Sequence, residues 1–325
     1  MVFSLYIPQK ECYNTLYFTK DVSPLKDFLT SERLKNFFSL KRLKNFLTPE
    51  RLRKIIFIAA IVLCALIFIA CALHLAEYFI ESAKQKAQYN KLSDLVQHAQ
   101  QDANNNGSND NTDDDSQTPP SPFTTVINPM NKKSMDILKE YAPIYNLNPD
   151  VIGWIQIEGT RINYPVMQTP EWVNFYLTRD FNGEASKHGA IYANESADIK
   201  LPSDNVTIYG HRMKDGTMFA ALHDYKKRSF FEDHRYITFD TIFEHHEYEI
   251  LSVFVTTANQ EDSFNYHEFV DGDEQTFGEF VAKCKELSLY DTGVDAVYGD
   301  KLITLSTCEH NIANGRLVVV AKRIS

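Results

Sequence analysis

The sequence predicts a mainly β fold: a closed eight-stranded barrel with an N-terminal helix and a helical insertion, preceded by one membrane-spanning helix. Three observations predict it. A 22-residue uncharged apolar run lies near the N-terminus, eight short runs rich in Val, Ile, Tyr and Phe fill the last 190 or so residues, and few helical stretches interrupt them.

The apolar run is Ile55 to Ala76, "IIFIAAIVLCALIFIACALHLA". At ~1.5 Å per residue a helix of this length spans roughly 33 Å, enough for a hydrocarbon core of ~30 Å. Residues 1–54 carry eleven Lys/Arg against five Asp/Glu, and the remainder carries 22 against 38. A basic head on an acidic body argues against a nucleic-acid partner and for a membrane between the two. Arg51, Arg53 and Lys54 abut the start of the run, which predicts a cytoplasmic N-terminus and an extracellular body. A cleaved signal peptide would have a shorter apolar run and a shorter basic region, and a lipoprotein signal at Cys71 fails on the same length. The expectation is a single uncleaved anchor over 55–76.

The head, 1–54, contains a nine-residue repeat: "PLKDFLTSE", "RLKNFFSLK" and "RLKNFLTPE" run from 24 to 50. Nine residues make two and a half helical turns, so successive copies would face opposite sides of one continuous helix. Short basic-aromatic helices on the inner leaflet, or a duplication that only thickens the anchor, fit better. Beyond the anchor, residues 77–133 read as a polar helix and then a disordered linker, "QDANNNGSNDNTDDDSQTPPSP", over 101–122. Asp102, Asn104, Asn106, Gly107 and Asp113 match part of a calcium loop's spacing. Position twelve is Asp instead of Glu and no amphipathic helices flank the loop, so no metal is expected there. A flexible linker would let a chain starting near Ser121 fold by itself.

The globular domain is expected over 134–325. "SMDILKEYAPIYNLNPD" reads as a short helix. The strand-like runs are "VIGWIQI", "INYPVMQ", "GAIYAN", "NVTIYGH", "YITFDT", "YEILSVFVTTA", "KLITLSTC" and "RLVVVAKRI". "TMFAALHDY" has helical periodicity between the fourth and fifth. A long insertion, 259–300, holds the amphipathic "EQTFGEFVAKCKELSLY" before the seventh.

Of five cysteines, only Cys284 and Cys308 fall beyond the anchor. Cys284 lies in the amphipathic helix; a disulfide between the two stays open, although one pair does not make a disulfide scaffold. If Cys308 is free, a nucleophile is the leading reading, because a thiolate needs a nearby base or cation. His211 ends the strand "NVTIYGH" as Cys308 ends "KLITLSTC", and Arg316 begins the next strand, where a chain reversal could return it to Cys308. Thiolate, proton shuttle and oxyanion-stabilising cation are what acyl transfer requires. His245 and His246 are adjacent, hence on opposite faces of a strand. His211, Cys308 and His310 would make a zinc site only on paper, so neither metal nor cofactor is expected.

"TLSTC" followed by the Arg of "NGRLVVVAKR", with an upstream "YGHRMKDGTMFAALHDY", resembles the signature segments of the sortases, membrane-anchored cysteine transpeptidases of Gram-positive bacteria. "NPDVIGWIQIEGTRINYPVMQ" and "FYLTRDFNGEASKHGAIYAN" resemble the opening of the class B domain, and the likeness covers roughly 134 to 325. The long helical insertion and the end at Ser325 without a second membrane helix are similar to class B. The resemblance implies a sortase-type barrel in which Cys308 attacks the carbonyl of a sorting-signal Thr and forms a thioester. It further implies that His211 moves the proton and Arg316 binds substrate and oxyanion. Tyr209 resembles a substrate-contacting tyrosine. Ser306, Thr307 and Glu309 flank the cysteine where substrate contacts are expected, with Thr307 also ordering the turn. The implied partners are surface proteins bearing an NPxTx-like or PPxTG-like C-terminal signal and an amine of a peptidoglycan precursor. A thiol endopeptidase using water, a pilus-assembling sortase and a surface-anchored binding module are the alternatives.

Overall fold

Eight β-branched and aromatic runs become eight strands of one barrel, each within a few residues of its expected place. The computed structural model describes residues 49–106, 126–127, 134–258 and 263–325. The nine-residue repeats before Pro49 and the linker beyond Asn106 lie outside the described residues, as do Gly107 and Asp113 of the calcium-loop match.

The chain divides into two units, Met1–Ala76 and Glu77–Ser325. A single helix, α1 (Pro49–Asn106), contributes to both. In the first unit every described side chain from Pro49 to Ala76 is exposed, Phe57, Leu66 and Phe68 among them. The helix is long and apolar enough to cross a membrane by length and composition.

In the second unit α1 continues as helix and packs. Tyr89, Leu92 and Val96 are buried at i, i+3 and i+7 and join the main hydrophobic cluster. The Tyr89 ring meets Tyr164 edge-on at 5.0 Å, and Gln85 Nε2 donates to the Gly189 carbonyl at 2.9 Å. Packing therefore begins well before Ser134, and helix continues through residues 101–106. Polar composition concealed this, because the stripe that packs is only three apolar side chains wide.

A two-stranded pair, β1 (Val126–Ile127) with β2 (Ser134–Met135), precedes a short helix, α2 (Ala142–Leu147). The helix is shorter than the sequence suggests, since Pro143 can enter only its first turn and Asn148 ends it in extended backbone. The barrel strands are β3 (Val151–Gln156), β4 (Asn163–Met167), β5 (Ile191–Ala193), β6 (Asn205–Tyr209), β7 (Tyr236–Thr241), β8 (Glu247–Thr257), β9 (Leu302–Glu309) and β10 (Gly315–Arg323). Around the barrel they run β10-β8-β7-β3-β4-β5-β6-β9, and β9 closes back on β10. Pairing is antiparallel except for β4 with β5 and β6 with β9. "TMFAALHDY" forms a 3-10 turn, Ala220–Lys226, before α3 (Arg228–Asp233).

Alternation sorts β9 and β10 into two faces. Ile303, Leu305, Leu317, Val319 and Ala321 belong to the main core, while Leu302, Val318 and Val320 face outward. The insertion covers that outer face with α4 (Glu274–Leu287), capped by Asp273, whose carboxylate accepts from the Thr276 N–H at 2.8 Å. Phe277, Phe280, Val281 and Cys284, at i, i+3, i+4 and i+7, form the buried stripe.

Candidate active site

The register of three strands brings the expected residues to one end of the barrel. Tyr209 on β6 lies opposite Ser306 on β9, both strands running the same way. Beyond Tyr209, the Gly210 N–H donates to the Ser306 carbonyl (3.1 Å) and Thr307 Oγ1 donates to the Gly210 carbonyl (2.8 Å). His211 and Cys308 thus each lie two residues past the same register point, at the ends of neighbouring strands. Gly210 is required there, because a Cβ would come within 2.7 Å of the Phe219 ring. Arg316 on β10 is the direct cross-strand partner of Cys308. Directly opposed residues project to one face, so thiol and guanidinium share the outer face that the insertion borders.

Each group is differently prepared. Cys308 is half-buried, whereas Cys284 is fully buried and burial pushes its thiol well above the ordinary range. Neither is in a disulfide, which closes that alternative. His211 Nε2 lies 2.7 Å from the Leu177 carbonyl. A carbonyl only accepts, so Nε2 carries the hydrogen and the basic lone pair of the neutral ring is on Nδ1. Arg316 Nη1 donates to its neighbour's carbonyl, Gly315 O, at 3.0 Å, and none of the ion pairs among the described residues engages it.

Three buried phenols feel the field of this cation. Burial, foremost, raises the pKa values of Tyr192, Tyr209 and Tyr266, and the Arg316 charge is felt at all three. They therefore stay protonated as hydrogen-bond donors. Tyr192 and Tyr209 are cross-strand partners with ring centroids 5.2 Å apart. Tyr266, from the insertion, shares a 2.6 Å hydrogen bond with Ser306.

Ser306, Thr307 and Glu309, expected as substrate contacts, are each only 2% exposed and have protein partners. The Glu309 carboxylate pairs with Lys226 at one oxygen, which His223 Nε2 approaches only to 3.5 Å. At the other it faces Arg212 (3.8 Å) and accepts from the Asn311 N–H (3.0 Å). Sequence reasoning missed Tyr192, Tyr266 and this cation cluster. "AALHDYK" carried a faint signal, a His and a Lys three apart on one turn, but nothing in it names Glu309 as their partner.

A barrel that brings a thiol, an imidazole and a guanidinium to one end fits an enzyme of cysteine-dependent acyl transfer. A family model for the sortase domain matches residues 155–324. Sortase B of Staphylococcus aureus is 33% identical over 197 residues, covering 60% of this chain and 79% of that protein. Sortase B of Listeria monocytogenes is 31% identical over 192 residues, or 58% and 76% of the two chains. Among solved structures, a S. aureus sortase B–substrate complex superposes with a TM-score of 0.60 at 28% identity, covering 76% of this chain and 99% of that one. The chain belongs to the sortase family and is an enzyme of its class B type.

Proposed function

We propose that this enzyme cleaves a C-terminal sorting signal after its Thr, holds the acyl group as a thioester on Cys308, and transfers it to an amine of a peptidoglycan precursor. The observation that carries the reading is the cross-strand pairing of Cys308 with Arg316, with His211 ending the adjacent strand. His211 takes the thiol proton at Nδ1 as Cys308 Sγ attacks the Thr carbonyl carbon, and the carbonyl oxygen takes the negative charge beside the Arg316 guanidinium. When the C–N bond breaks, His211 gives a proton to the departing amine; it later takes one from the incoming amine. Sortases in general act on proteins bearing sorting signals and on amine acceptors, and an NPxTx-like or PPxTG-like signal is the proposed substrate here. The apolar part of α1 fits a membrane anchor; the basic residues before it favour a cytoplasmic N-terminus and an extracellular catalytic domain.

The test is mass spectrometry of the purified enzyme given a sorting-signal peptide without an amine. An acyl adduct should appear on the Cys308-containing peptide, be released by hydroxylamine, and be absent from Cys308→Ala. An adduct on Cys284, or turnover by Cys308→Ala, would refute the reading. Product formation that ignores added amine would favour a thiol endopeptidase instead.

A further inference from the structure

Asp215 lies four residues past His211, in the loop that carries the chain from β6 to the buried Phe219. The loop closes on the histidine itself: the Phe219 N–H donates to the His211 carbonyl at 2.9 Å, and Arg212 bridges Met218. Two of its residues, Gly216 (φ 80°) and Met218 (φ 56°), hold left-handed backbone, which for a methionine persists only when its surroundings enforce it. One enforcing contact is the Met218 N–H donating to Tyr164 Oη at 3.0 Å.

The other is Asp215. Its Oδ2 accepts from Ser82 Oγ of α1 (2.6 Å) and from His188 Nε2 (3.0 Å). Its Oδ1 accepts from the Thr217 N–H (3.0 Å) and Thr217 Oγ1 (2.6 Å), and its backbone carbonyl accepts from Arg161 Nη1 (2.9 Å). His188 is 1% exposed, lies over Tyr78 of α1 at 6.4 Å, and has no hydrogen-bond partner at Nδ1 among the described residues, so Nε2 is the ring nitrogen it turns to the carboxylate. Four donors thus converge on two oxygens. Only an acceptor-only group suits that arrangement; an amide would set its own N–H groups against at least one donor. Burial alone would raise the carboxyl's pKa, but the Ser82, Thr217 and His188 bonds hold it well below the usual range.

We infer that Asp215 is a positioning residue for His211 and that α1, through Ser82, holds the histidine loop in its working geometry. The inference rests on the proton-transfer role proposed for His211. It assigns the polar helix beyond the apolar run a part in catalysis, since the helix supplies one of the four bonds that fix the loop.

The test uses the full chain in detergent micelles with a sorting-signal peptide, comparing Asp215→Asn, Ser82→Ala and His211→Ala singly, and each of the first two combined with His211→Ala. Asp215→Asn should lower kcat by about tenfold or more with KM little changed, and Ser82→Ala by about threefold, less than the full worth of one hydrogen bond to a charged group because three donors stay on Asp215. In the His211→Ala background both losses should shrink to less than about twofold, because the histidine they position is gone. Where the double variants fall below detection, 15N NMR of the His211 ring decides. A single Nε2–H tautomer in wild type should give way to a mixture in Asp215→Asn. Should Asp215→Asn fail to fold, Ser82→Ala provides the same two readouts. Full kcat in the foldable variants, additive losses in the doubles, or an unchanged tautomer would overturn the inference. Full activity of His211→Ala would instead overturn the proposed function, and that single variant reveals it alone.

Discussion

Arg316 stands directly opposite Cys308 on the neighbouring strand, so its replacement tests geometry more than charge. Arg316→Lys keeps one positive charge but loses the planar fork and its paired donors. The expected loss in kcat/KM is on the order of 10²-fold, comparable to removing one oxyanion donor, read by steady-state cleavage of a sorting peptide. His223 supplies a pH signature. Burial first, then the Arg212 and Lys226 charges, push its imidazole down to about 4. An unfolded histidine titrates near ~6.5, so the folded protein binds fewer protons between those values. Stability from this group is complete above ~6.5 and is lost as pH falls toward 4. Denaturant unfolding at pH 7 and pH 5 should show a smaller acid loss for His223→Gln than for wild type. The placement of Cys308, His211 and Arg316 at neighbouring strand ends was legible in the sequence because each borders an apolar strand. The partners of Glu309 were not, because Arg212, His223 and Lys226 come from turns whose path no periodicity encodes.

The insertion helix was read nearly residue for residue, since its Phe277, Phe280, Val281 and Cys284 stripe has helical spacing and an Asp cap. Its purpose was less visible: it roofs the outer face of β8, β9 and β10, and the segment before it supplies Tyr266 to Ser306. Phe280 stacks on Phe269 at 4.4 Å, so Phe280→Ala should cost about 3–5 kcal/mol in denaturant unfolding, the range for truncating a buried aromatic. Cys284→Ala removes a fully buried thiol from the same stripe. It should cost roughly 1 kcal/mol, as a small apolar side chain does, and leave peptide cleavage unchanged.

For the molecule as a whole, the eight strands were legible from composition and alternation, and their circular order follows only from pairings the sequence does not state. The extent of α1 was the larger gap. Its polar exterior reads as solvated helix, yet Tyr89, Leu92 and Val96 complete the core beside Tyr164. A chain starting near Ser121 would therefore expose the apolar surface those three side chains cover. It should unfold at lower denaturant than one starting at Glu77, with a cost of several kcal/mol at about 1.5–3 kcal/mol per buried large side chain. Equal midpoints for the two would show that the helix contributes no net stability.

The parallel seam between β6 and β9 also sets when the enzyme becomes an enzyme. Gly210 and Thr307, joined across it, are 97 residues apart in the chain, whereas β9 and β10 form a local hairpin. Long loops close late, so the hairpin carrying Cys308 and Arg316 can form early while the seam that brings His211 alongside waits for the barrel to shut. During that interval Cys308 has Arg316 opposite it but not His211 alongside. On refolding, peptide cleavage should recover with the slowest phase, after hairpin formation, so that half-made molecules hold Cys308 opposite Arg316 and cleave nothing.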